Sequence, residues 1–151
     1  TVVIFDLIYL ITGNGYWTEI AFWMIAAGVV GGLVAAVFGL IDWLAIPNNT
    51  RAKSVGILHA ITNVLVLGLF TASWFLRRET PNRSTMLAIG LSLSACVLSS
   101  IGAWFGGELV TRLGVGVDNG ANLNAPNSLF HKSSDRPSGV AEDKPTSRYA
   151  A

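Results

Sequence analysis

Hydrophobic and polar positions along the chain fall into long blocks rather than a fine alternation. Three runs contain no Asp, Glu, Lys or Arg: Ile20–Ile41 (22 residues), Ser54–Leu76 (23) and Ser84–Gly107 (24). At 1.5 Å rise per residue, about 20 apolar residues cross a hydrocarbon layer roughly 30 Å thick, so each run suffices for a transmembrane helix. The alternating ten-residue segments of a membrane β-barrel do not appear. Pro47, Pro81, Pro126, Pro137 and Pro145 all lie outside the runs. That placement suits continuous helices, since proline inside one costs about 3 kcal/mol. Trp17, Trp43 and Trp74 sit near run ends, at the depth where an indole prefers the headgroup layer.

The opening segment Thr1–Thr12 is apolar apart from Asp6 and ends at Gly13-Asn14-Gly15, a turn sequence. Twelve helical residues reach only about 18 Å. The expectation is therefore the second half of a first transmembrane helix, truncated at its N-terminus; a re-entrant or interfacial segment is the alternative. The expected fold is all-α: an integral membrane four-helix up-down bundle over residues 1–117, with helices at about 1–12, 17–46, 54–77 and 84–111. A long polar, extended, extramembrane tail, 118–151, follows it.

Composition sharpens this picture. The chain is 52% hydrophobic and 13% charged, against about 25% charge in a soluble domain. A net charge of +1 gives no electrostatic footprint for nucleic acid. Cys96 is the single cysteine, so no internal disulfide and no zinc spacing exist. The tail holds 8 of the 19 charged residues and is rich in Asn, Ser, Pro and Gly, a composition that orders mainly on another surface. Leu129, Phe130 and Tyr149 are its candidate partner contacts. Counting loop cations for orientation, Arg51, Lys53 and Arg112 on one side balance Arg77, Arg78 and Arg83 on the other. Only the basic residues of the tail tip the count slightly toward a cytoplasmic tail.

Inside a bilayer, helices associate through close backbone approach at small residues. Helix two offers Gly28, Gly32, Ala36 and Gly39, and helix three Gly56 and Ala60. Helix four offers Ala88, Ser92, Ala95, Ser99, Gly102 and Gly106, alternating in steps of four and three as a left-handed seam requires. Up-down topology also gathers Asp42, His59, Asn63, Glu108 and Arg112 at one membrane face, with Arg51 and Lys53 beside them. This cluster has two readings. One is a carboxylate–histidine site for protons, a quinone or a metal; the other is a polar clamp on the helix ends. One histidine with two acids is a weak metal signature, and no metal is expected. Haem b normally takes two axial ligands. His59 is the only histidine of the bundle, His131 lies in the tail, and Met24 and Met86 belong to the opposite membrane half. No nucleophile elbow, phosphate loop or HExxH occurs, so an enzyme is not expected.

Four stretches carry a resemblance: Phe5-Asp6-Leu7-Ile8-Tyr9-Leu10, Gly39-Leu40-Ile41-Asp42-Trp43-Leu44-Ala45-Ile46-Pro47, Arg51-Ala52-Lys53 through His59 and Asn63, and Gly106-Gly107-Glu108-Leu109-Val110 with Gly114-Val115-Gly116-Val117. Together they resemble a bacterial membrane-protein family catalogued as domain of unknown function 2231, over roughly residues 1–125. The resemblance implies a four-helix inner-membrane domain without assigned chemistry. Members typically carry a His-Pro stretch before the Phe-Asp motif, which this chain lacks, and often Tyr where Thr111 stands.

The favoured expectation is a non-catalytic accessory subunit of a larger bacterial inner-membrane complex, of the respiratory or photosynthetic kind. It would contact lipid and other membrane subunits and hold no cofactor. The alternative is an electron or proton carrier binding haem b or a quinone through His59. A second alternative is a proton or solute path through Asp6, Asp42 and Glu108.

Overall fold

A computed structural model describes residues 1–118 and 120–125. Thr1–Val117 form one unit of four helices: α1 (Val2–Thr12), α2 (Gly15–Ala45), α3 (Arg51–Arg77) and α4 (Met86–Gly107), the last continuing into a π-helical turn, Glu108–Arg112. No strand occurs among the described residues. Three helices are long and apolar enough to cross a membrane: α2, α3, and α4 together with its π turn. α1, with 11 residues, extends about 16 Å. The described part of the second unit, Asp118 and 120–125, consists of short turns in which Asp118 and Asn122 accept from backbone amides two residues ahead.

Capping sets the helix limits. Gly13, at φ 65°, ends α1 with its N–H on the Tyr9 carbonyl, a left-handed cap that glycine adopts without strain. Asn14 Oδ1 then accepts from Tyr16 N to start α2. Thr50 Oγ1 accepts from Lys53 N, and Thr85 Oγ1 from Ala88 N. The Thr50 cap starts α3 at Arg51, three residues before the charge-free run, because a charge is tolerated in a first turn that lies at the membrane surface.

The helices pack as a ring, α1 on α2, α2 on α3, α3 on α4 and α4 on α1. On α4, Ala88, Ser92, Ala95 and Gly102 are buried, and Ser99 and Gly106 are half-buried. A Cβ on Gly102 would meet Thr62, and one on Gly106 would meet the His59 ring, so α3 and α4 approach closely there. On α2 the picture differs from the expected ridge. Gly32 packs on Leu67, but a Cβ at Gly28 or Gly39 would meet nothing within 4 Å, and Ala36 is exposed. Residues 33–42 are all exposed; the buried residues of α2, Thr18, Ala21, Phe22 and Ile25, all lie in its first half.

Candidate functional site

The most buried polar groups lie on the bundle axis near the α3 C-terminus. Arg77 closes α3 with 0% exposure, and Asp6, midway along α1, has 1%. A charged pair so enclosed persists only with its hydrogen bonds satisfied. Arg77 meets that demand in full. Its Nη1 and Nη2 donate to Asp6 Oδ1 and Oδ2 at 2.6 and 2.8 Å. Its remaining donors reach Thr18 Oγ1 at 3.1 Å, Ser92 Oγ at 3.1 Å and Ser73 Oγ at 3.2 Å. A guanidinium has five N–H groups, and all five are used.

The hydroxyls around it are ordered in turn. Ser73 Oγ donates its single proton to the Ala88 carbonyl at 2.7 Å, so Ser92 must donate to Ser73 across their 2.9 Å contact. Thr18 pairs with Ser84. One side chain therefore ties α3 to α1, α2 and α4, and the bidentate fork fixes their azimuths as well as their separation. Stacked Phe5–Trp17 and Phe22–Trp74 pairs flank this end. Trp74 Nε1 is buried without a hydrogen-bond partner among the described residues.

The sequence alone does not gather this cluster: Asp6 stands out as an acid in an apolar segment, but Arg77 groups with Arg78 and Arg83 as a loop cation. The available signal was the acid itself: a lone carboxylate in an apolar helix calls for a buried cation. Arg77 has Ser73 one turn behind it on the same face.

At the opposite end, the seven residues expected to meet separate into four groups. Glu108, 14% exposed, accepts from Arg51 at 2.5 Å and faces Arg112 at 3.6 Å. His59 and Asn63 form a second group with the Gly102 carbonyl. The carbonyl can only accept, so His59 Nδ1, 3.0 Å away, carries the proton. Asn63 Nδ2 donates to His59 Nε2 at 3.1 Å and to the His59 carbonyl at 2.8 Å. Both ring nitrogens are thereby engaged in an uncharged imidazole; a haem, metal or quinone at Nε2 would have to displace Asn63.

Lys53 turns away from the acids. Its Nζ donates to the Trp43 and Ile46 carbonyls at 2.7 and 3.1 Å and lies 3.8 Å from the Trp43 ring centroid. It thus neutralises the last carbonyls of α2, with Gly56 leaving room for the indole. Asp42 is exposed on α2 and makes no hydrogen bond or salt bridge among the described residues. Asp6, Asp42 and Glu108 do not converge: Asp6 lies on the axis at one end, Glu108 between α3 and α4 at the other, and Asp42 outside the ring. No group of three or more His, Cys, Asp or Glu with metal-binding proximity occurs among the described residues. Leu129, Phe130 and Tyr149 lie outside the described residues.

No significant match to a curated protein or to a solved structure accompanies this geometry. The family comparison is positive: residues 1–119 match the model described as "Predicted membrane protein (DUF2231)". The long apolar helices are those of a multi-pass membrane protein, and the chain belongs to that family.

Proposed function

We propose that the chain is a non-catalytic packing subunit of a larger complex in the bacterial inner membrane. The observation that carries this reading is the saturated Arg77 network. All five guanidinium donors are committed to Asp6, Thr18, Ser92 and Ser73, so the most buried polar groups serve to hold the four helices together rather than to receive a ligand.

Extraction of the full-length protein from native membranes in mild detergent tests the reading. The expected result is a heteromeric particle well above 16.0 kDa; a monodisperse single chain refutes it.

We infer an orientation as well: Arg77 is buried within the bundle, which leaves Arg51, Lys53 and Arg112 as loop cations against Arg78 and Arg83. We infer that the Arg51 end, from which residue 118 continues, faces the cytoplasm. A reporter enzyme active only in the periplasm, fused at the C-terminus, is expected to be inactive; an active fusion reverses the assignment.

A further inference from the structure

Where α3 begins and α4 ends, Arg51, Val55, Trp104, Phe105, Glu108, Thr111 and Arg112 line an open cleft of about 520 Å³. We propose that this cleft binds the headgroup of an anionic glycerophospholipid, with an acyl chain running down the outer face of α4.

Three features of the cleft argue for this occupant. First, its cations retain unused donors. Arg51 and Arg112 are 63% and 75% exposed, and each gives a single nitrogen to Glu108, so the other nitrogens of both guanidiniums are without a protein partner among the described residues. The three side chains sum to +1, a charge that a phosphodiester complements. Second, the cleft lies at headgroup depth. α4 runs 22 residues from Met86 to Gly107, about 33 Å, which places Glu108–Arg112 just beyond the hydrocarbon layer.

The third feature separates a lipid from a free anion. Leu93, Val97, Ile101 and Trp104 are exposed and recur at steps of four, four and three. They form one apolar track that leads from the membrane interior to Glu108, four residues beyond Trp104. Trp104 stands where track and cleft meet, so its indole would cover the glycerol region. The π turn contributes as well. Leu113 N bonds to the Glu108 carbonyl, five residues back, at 3.1 Å. This wider turn interrupts the α-helical register between Trp104 and Arg112.

Binding to the full-length protein in neutral detergent micelles tests the proposal, using phosphatidylglycerol, phosphatidylcholine and inorganic phosphate as separate probes. Native mass spectrometry reads occupancy, and quenching by brominated acyl chains reads contact with Trp104. Phosphatidylglycerol is expected to bind in preference to phosphatidylcholine, and its extra quenching to vanish in Trp104→Phe. Arg112→Gln keeps the Arg51–Glu108 pair and is expected to weaken phosphatidylglycerol about five-fold, the worth of one cation at an anionic surface. Glu108→Gln frees both guanidiniums and is expected to tighten binding several-fold, a gain that a misfolded protein cannot produce. Equal binding of the two lipids overturns the proposal, as does an unchanged Arg112→Gln. Saturation by inorganic phosphate with no preference for the lipid also overturns it, since that result describes a free-anion site.

Discussion

Replacing Asp6 by Asn keeps the side chain's shape and removes its charge, so it isolates what the carboxylate does. The Asp6–Arg77 contact consists of two charge-assisted hydrogen bonds at 2.6 and 2.8 Å between groups 1% and 0% exposed. With the anion gone, a guanidinium stays enclosed with only hydroxyls and an amide around it. Breaking one side of such a pair costs about 3–5 kcal/mol, because the other charge is left uncompensated. Removing both charges costs much less than the sum of the single changes when the replacements pack well. Asp6→Asn, Asp6→Leu and Arg77→Met are therefore each expected to lower stability by about 3–5 kcal/mol, with Asp6→Leu/Arg77→Met recovering at least about 2 kcal/mol relative to the sum of its own two single changes. Reversible unfolding in mixed detergent–SDS micelles reads these differences, with the Trp17 indole stacked on Phe5 as reporter. If Asp6→Asn lies within about 1 kcal/mol of the wild type, or the cycle is additive, the clamp does not hold the four helices together.

Gly15 and Gly28 make a matched pair. A Cβ on Gly15 collides with the Asn82 backbone carbonyl, whereas one on Gly28 meets nothing within 4 Å. In isolated protein, Gly15→Ala is expected to lose about 1–3 kcal/mol to overpacking, and Gly28→Ala to gain up to about 1 kcal/mol of helix propensity. A stabilised Gly15→Ala or a destabilised Gly28→Ala in the same unfolding assay contradicts the packing described. For His59, nitrogen NMR is expected to find Nδ1 protonated and Nε2 bare, and Asn63→Leu to change the Nε2 signal. An Nε2–H tautomer in the wild type contradicts the Gly102 and Asn63 contacts.

The helices were legible because charge-free length is a one-dimensional property. Ile20–Ile41, Ser54–Leu76 and Ser84–Gly107 all lie within helices that extend beyond them, apart from Ser84 and the capping Thr85. The inward seam of α4 was legible for a related reason: small residues at steps of four and three define a face. Which neighbour meets a face is not encoded locally. The similar series on α2 also shares one face, yet of its glycines only Gly32 meets a neighbour there, Leu67 of α3, and Ala36 is exposed. Polar pairing proved hardest. Residues assigned to one membrane end by topology still have to choose partners, and Lys53 found helix-end carbonyls while Asp42 found none. Arg77 was misread because its sequence position is at a helix end, although its side chain reaches back to the axis.

The central claim is that the chain packs as one subunit of a larger membrane complex, its buried polar groups spent on holding its own helices together. Its most direct test is the size of the native particle that carries the full-length protein after extraction from native membranes in mild detergent. The account predicts a heteromeric particle well above 16.0 kDa. A monodisperse single chain contradicts it.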